Sequence, residues 1–150
     1  MSTTQQFCTF FLKDFFFGVE VQTIQEVIRY QEMTSVPLAP AEVFGLINLR
    51  GQIVTAIDLR TRLGLAPREG DRLPTNIIVR TADGAVSLLV DEIGDVVDLD
   101  AGLYEQPPET LDRSARELVT GVYKLEEHLL LILDVAAATT VVPPQRESAA

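Results

Sequence analysis

The stretch GLINLRGQIVTAIDL, Gly45 to Leu59, decides the fold because it recurs in outline as GVYKLEEHLLLILDV, Gly121 to Val135. In each copy a glycine opens a short apolar run, a polar turn follows, and a second apolar run reaches an aspartate. That aspartate, Asp58 or Asp134, stands thirteen positions after its glycine. Self-similarity at fixed spacing sets an architecture before any residue-level detail, and here it predicts a doubled unit. The turns differ: Arg50-Gly51 in the first copy, Glu126-Glu127 in the second. A fainter echo carries the doubling upstream. Phe17, Val19, Val21, Ile24, Glu26 and Val27 match Val86, Leu88, Val90, Ile93, Asp95 and Val96 at a spacing of 69, which widens to 76 by the second motif. The widening places an insertion near Glu105 to Leu111.

Composition bounds the rest. At 150 residues, 47% apolar and 23% charged, the chain is one domain's length, or two very small units sharing a core. A net charge of −10 opposes non-specific binding to nucleic acid or anionic lipid, both of which it repels. The one cysteine, Cys8, has no internal partner and fits a reducing compartment. No basic-then-apolar leader opens the sequence, and no apolar run approaches the roughly 18 residues of a spanning helix. The expected class is an acidic, cytoplasmic, globular protein.

Strands are expected at 7–12 and 15–21, joined at Lys13-Asp14. Residues 22–30 stay open: Ile24, Val27 and Ile28 have helical spacing, while the β-branched content permits a turn leading into a strand. Hairpins follow at 45–57 around Gly51, at 75–91 around Asp83-Gly84, and at 119–133. Residues 93–99 continue as extended structure, 67–74 read as a charged loop, and 107–118 as a polar stretch with short helical turns. One domain is expected over 7–140, its repeats lying near 7–65 and 75–140, with 1–6 and 143–150 as flexible tails. Short strands, frequent turns and no long helix point to small barrels or a sandwich. Half-units of about 70 residues have marginal cores alone, so the halves should pack together.

Paired carboxylates from two halves of a β protein suggest a hydrolase dyad of Asp58 and Asp134. Their surroundings oppose it: Leu59-Arg60 and Val135-Ala136 follow, without the small hydroxyl and glycine residues such a dyad needs. Each aspartate precedes a helix-capable run, LRTRL or VAAAT, and an N-cap role accounts for both. His128 is the only histidine, so no triad or imidazole metal cluster can be assembled around it. Cys8 reads as buried packing, and Phe15-Phe16-Phe17 as core. No phosphate-binding lysine loop or dinucleotide fingerprint occurs, and no cofactor or metal is expected. Gly45, Gly51 and Gly121 read as structural. Against this background Arg50 stands out, since a turn at Gly51 requires only the glycine. It is either a solvated tip residue or a contact residue, arginine being enriched at interface hot spots.

Four separated stretches carry a resemblance: FGVEVQTIQEVI (17–28), VPLAPAEVFGLINLRGQIVTAIDLR (36–60), VSLLVDEIGDVVDL (86–99) and LVTGVYKLEEHLLLILDV (118–135). Together they resemble the CheW family, the coupling proteins of bacterial chemotaxis. The resemblance implies an all-β fold of two intertwined five-stranded SH3-like barrels sharing a hydrophobic core, with a few short helices. It implies a non-catalytic adaptor between chemoreceptor cytoplasmic tips and the regulatory domain of a CheA-type histidine kinase. The chain is too short to add a kinase or receiver domain. Receptor contacts carry over to Ile24, Glu26 and Arg50, with Thr75 and Asn76 across a groove between the barrels. Kinase contacts carry over to Phe44 on one side and to Glu109 with Thr110 on the other. Thr55 stands where the family often has proline, Thr75-Asn76 is more polar than its usual apolar pair, and Thr110 replaces a common aromatic. The same architecture also serves chemosensory pathways unrelated to motility.

Overall fold

The computed structural model describes residues 4–66, 70, 72–82, 84–126 and 128–140. The first half supplies β1 (Thr4–Leu12), β2 (Phe15–Glu20), β3 (Ile24–Ile28), β4 (Val43–Leu49), β5 (Gln52–Asp58) and α1 (Leu59–Arg62). The second supplies β6 (Thr75–Thr81), β7 (Gly84–Val90), β8 (Glu92–Asp100), α2 (Arg113–Arg116), β9 (Val119–Lys124), β10 (Leu129–Leu133) and α3 (Val135–Thr139). These strands form two five-stranded sheets, ordered β8-β1-β2-β10-β9 and β3-β6-β7-β5-β4. Neither sheet is a contiguous half of the sequence. The repeats at 7–65 and 75–140 exchange strands, so that the first hairpin of each completes the sheet of the other.

The sequence repeat is a repeat of register. Phe10 pairs with Phe17 as Val79 pairs with Val86, and Ile24 with Val79 as Ile93 with Phe10. Ile47 pairs with Val54 as Tyr123 does with Leu130. The two joins between exchanged hairpins are parallel, Phe17 beside Leu131 and Val86 beside Thr55. Parallel joins sit where a sheet is covered on both faces, which explains the near-continuous apolar runs of these strands. On β2, Phe17 and Val19 enter the core shared by the sheets, as do Ile77 and Val79 of β6 and Leu88 and Val90 of β7. The alternate residues fill the separate interior of each barrel: Phe7, Tyr123, Leu130 and Ile132 in the first, and Ile78 and Leu89 with Ile47, Leu49 and Val54 in the second.

One expectation changes and one open reading is decided. β1 begins at Thr4, so residues 4–6 are strand rather than tail. Residues 24–28 are the edge strand β3: pairing with β6 overrides the helical spacing, and a single 3-10 turn at Val21–Thr23 carries the chain from one sheet to the other. The tail 143–150, residues 67–69 and 71 of the charged loop, Asp83 and Glu127 lie outside the described residues.

Both repeat glycines sit at a β-bulge. Val43 pairs with Ile57 but Gly45 with Ala56, and Val119 pairs with Leu133 but Gly121 with Ile132. A returning segment crosses each strand next to the glycine. Thr34 exchanges backbone hydrogen bonds with Leu46 (2.9 and 2.8 Å), and Glu105 does the same with Val122 (2.9 and 2.8 Å). A Cβ at Gly45 would stand 2.9 Å from the Thr34 carbonyl oxygen, and one at Gly121 would enter the Tyr104 ring. Gly45→Ala therefore presses on backbone that cannot move aside, and its stability in chemical denaturation should fall by about 1–3 kcal/mol. Gly121→Ala meets a side chain instead. In a double-mutant cycle its cost should largely vanish once Tyr104 is alanine.

Candidate functional site

The Arg50-Gly51 turn closes β4 and β5 with two residues, Leu49 facing Gln52. Both central residues have positive φ, +52° at Arg50 and +87° at Gly51, as a type I′ turn requires. The Asn48 Oδ1 accepts from the Gly51 N–H at 2.9 Å, which gives the asparagine of Asn-Leu-Arg-Gly its role. Asparagine or glycine is the usual residue at the first central position. An arginine there holds a conformation that costs an L side chain about 1–2 kcal/mol. Its guanidinium donates to the Glu26 carboxylate on β3, so the hairpin tip is tied to the edge of its own sheet. The pair stays wet: the Arg50 side chain is 66% exposed and that of Glu26 25%. Exposed pairs contribute little to stability, so the fold alone does not account for the strained arginine. The Arg50 hydrogen bond holds the Glu26 carboxyl below its ordinary value of 4.5. Partial desolvation opposes this, while Gln25 and the Arg50 charge reinforce it.

The other proposed receptor contacts divide. Ile24 is half-buried and packs on the shared core, and Thr75 is half-buried at the start of β6, opposite Val90. Asn76 is corrected. Its side chain is fully buried, its Oδ1 accepting from Ser87 Oγ at 2.7 Å and its Nδ2 donating to the Arg29 carbonyl at 3.1 Å. It fastens β3 to the barrel and has no surface to offer a partner. Val27, 42% exposed beside Glu26, is the apolar surface residue that sequence reading passed over. Its signal was the β alternation of an edge strand, hidden by the competing helical spacing.

Phe44 is the extra residue of the first bulge, and 43% of it is exposed. Bulges re-aim side chains, and this one turns a large ring toward solvent. Glu109 and Thr110 are exposed in a turn closed by the Leu111 N–H to the Pro108 carbonyl at 3.1 Å. Phe44 thus belongs to the second sheet, and Glu109 with Thr110 to the link between β8 and β9 of the first.

The two aspartates engage their own helices. Asp58 Oδ1 accepts from Arg60 N at 3.1 Å and Asp134 Oδ1 from Ala137 N at 3.1 Å; Asp58 ends β5 of the second sheet, and Asp134 directly follows β10 of the first. Arg60, the arginine of Asp-Leu-Arg, has a role that local spacing did not reveal. Its Nε and Nη2 grip Asp91 at 2.9 and 2.5 Å, both side chains being about nine-tenths buried, and its Nη1 donates to the Ala66 carbonyl at 2.9 Å. Asp91 lies where the chain crosses from β7 of the second sheet to β8 of the first. Its Oδ2 also accepts from Lys13 N, at 2.8 Å, in the β1–β2 turn. One buried ion pair thereby joins α1, the crossover and the opposite sheet.

Two paired small β-barrels with a shared core, carrying an exposed charged hairpin tip, define an interaction domain of doubled architecture. The chain belongs to the CheW-like domain family, which matches residues 6–141. It is 30% identical to the chemotaxis protein CheW of Klebsiella aerogenes over 131 residues, covering 87% of this chain and 79% of that protein. It is 29% identical to the chemotaxis protein CheW of Bacillus subtilis over 137 residues, covering 91% and 88%. Among solved structures it is similar to the scaffolding protein TtCheW from Thermoanaerobacter tengcongensis. The TM-score is 0.78 at 28% identity, with 88% of this chain and 90% of that one covered.

A depressed folded-state value means that the Glu26–Arg50 pair supports the fold above the ordinary glutamate range. That support is lost as the pH falls through the lower folded value. Carboxyl NMR should find the Glu26 midpoint below 4.5, returning toward it in Arg50→Ala. Arg60→Ala leaves Asp91 buried without its main partner and should cost about 3–5 kcal/mol. Arg60→Lys should not restore it, because an ammonium lacks the two-pronged fork. Removing a cap in Asp58→Ala or Asp134→Ala should cost about 0.5–2 kcal/mol in denaturant titrations.

Proposed function

We propose that this chain is a non-catalytic cytoplasmic adaptor, coupling chemoreceptor cytoplasmic tips to the regulatory domain of a CheA-type histidine kinase in membrane-associated arrays. The observation that carries the reading is Arg50: exposed, ion-paired to Glu26, and kept in a backbone conformation that its own turn would assign to another residue. Strain that the small support from an exposed ion pair does not offset points to a contact surface. Family membership and the likeness to a scaffolding protein support the same reading.

In this reading a helical receptor tip lies against β3 and the hairpin. Val27 and Ile24 supply apolar contact, Thr75 lies along the same edge, and Arg50 with Glu26 orients the helix by charge. Asn76 acts behind this surface by holding β3 in place. The kinase meets the barrel ends, with Phe44 as the apolar anchor on one side and Glu109 and Thr110 on the other. Two separate kinase-facing surfaces let one adaptor bridge two kinase molecules and extend an array.

Reconstituted receptor, kinase and adaptor test this directly. Arg50→Glu should abolish receptor-dependent kinase activation while leaving kinase binding intact. Normal activation by this variant would refute the role given to Arg50. Arg50→Asn should relieve the turn, raising the melting temperature by about 2–4 °C per kcal/mol gained, and still lose activation. Phe44→Ala should show the reverse pattern, with weakened kinase binding and retained receptor binding.

A further inference from the structure

Inside the second barrel lies a polar pair that packing does not require. Asn76 of β6 and Ser87 of β7 are both fully buried. Ser87 Oγ donates to Asn76 Oδ1 at 2.7 Å, and Asn76 Nδ2 donates in turn to the Arg29 carbonyl at 3.1 Å. Asn76 also pairs through its backbone with Ile28, the last residue of β3. Its side chain therefore takes hold of the chain one residue beyond the strand. The residues paired with Asn76 and Ser87 in the sheet, Ile28, Leu89, Ala56 and Ile78, are all apolar.

The repeat shows what else these two positions accept. At the spacing of 69, Asn76 matches Phe7 and Ser87 matches Gly18. The pairings match as well: Asn76 lies between Leu89 and Ile28, and Phe7 between Glu20 and Val97. A Cβ built on Gly18 would stand 3.4 Å from the Phe7 Cβ. The first barrel thus brings the same two positions together without a polar side-chain atom. A buried hydrogen-bonded pair is nearly neutral in stability against apolar groups of the same shape. What a satisfied buried network supplies instead is one defined arrangement.

The element so arranged is β3, a five-residue edge strand with a bulge, paired only with β6. Side chains of β6 grip it at both ends. Arg80 Nη1 reaches the carbonyls of Gln22 and Ile24 at 3.3 and 3.4 Å, and Asn76 reaches that of Arg29. Glu26 and Val27 lie between the two grips. Arg29 is exposed, so its carbonyl, once released, turns to water and draws the end of the strand with it.

We infer that Asn76 and Ser87 are positioning residues for partner binding: together they set where β3 ends, and so how Glu26 and Val27 meet a docking helix. The inference rests on β3 being the receptor-facing strand proposed above.

The full chain carrying Asn76→Val with Ser87→Ala is compared with wild type in three measurements. Its melting temperature should stay within about 3 °C of wild type. Amide exchange at Val27, Ile28 and Arg29 should quicken about tenfold, while that at Val54 in the core is unchanged. Affinity for a helical hairpin peptide of the receptor tip should fall about tenfold, with kinase binding retained. Ser87→Ala alone adds no bulk and frees the Asn76 amide to turn; it should lower tip affinity several-fold, and it carries the test if the double variant misfolds. Equal affinity of wild type and variant overturns the inference, as does unchanged exchange at β3. Loss of kinase binding in step with tip binding also overturns it, because general damage then accounts for both. A wild-type protein that does not bind the tip overturns the adaptor reading instead, and exchange at β3 then decides whether the pair sets the strand.

Discussion

Two parallel joins, β2 with β10 and β5 with β7, hold this molecule together, because each completes a sheet with strands from the opposite half of the chain. A parallel join has to be covered on both faces. The shared core covers one face of each sheet and the barrel interior covers the other. The long apolar runs, the absence of a polar side on the central strands and the closeness of the sheets all follow. The chain crosses between sheets at two places, and these are secured differently. Asp91 marks one, locked by Arg60. The other is the turn at Val21–Thr23, where Arg80 Nη1 reaches the carbonyls of Gln22 and Ile24 at 3.3 and 3.4 Å. A frame of near-perfect internal symmetry is closed by unlike fastenings.

Much of this frame could be read in the sequence because it is local. A glycine admitting a crossing segment, an aspartate capping the next helix and a run of alternating apolar residues each leave a mark within fifteen residues. Strand exchange leaves none, since a hairpin looks the same whichever sheet it joins. Arg60 and Asp91 are 31 residues apart, and nothing near either one indicates the other. Asn76 shows a related limit. As a polar residue at a strand start it reads as surface, and only the buried Ser87 and the Arg29 carbonyl reveal it as an internal fastening. The β3 segment was ambiguous for a physical reason: an edge strand buried on one side with a bulge at Gln25 can mimic helical spacing.

The bulges connect architecture to surface. The first copy places Phe44 at its extra position and the second places Thr120, so one bulge projects an aromatic ring outward while the other lines a cavity. The turns diverge likewise, Arg50-Gly51 against Glu126-Glu127. Positions that hold the barrels together are matched between copies, and positions that face outward are not. Duplication of the structural residues left the exposed ones free to specialise.

The join between Phe17 and Leu131 also has a consequence in time. β2 pairs with a strand made about 114 positions later (131 − 17), so the first hairpin emerges from the ribosome long before its sheet can close. Such topologies fold slowly, because distant segments have to meet before their contacts contribute. Until then the apolar edges of β1 and β2 are open templates for neighbouring chains. A chain of this topology therefore depends on the cell's capacity to shield nascent chains, a demand set by its strand order rather than by its partners.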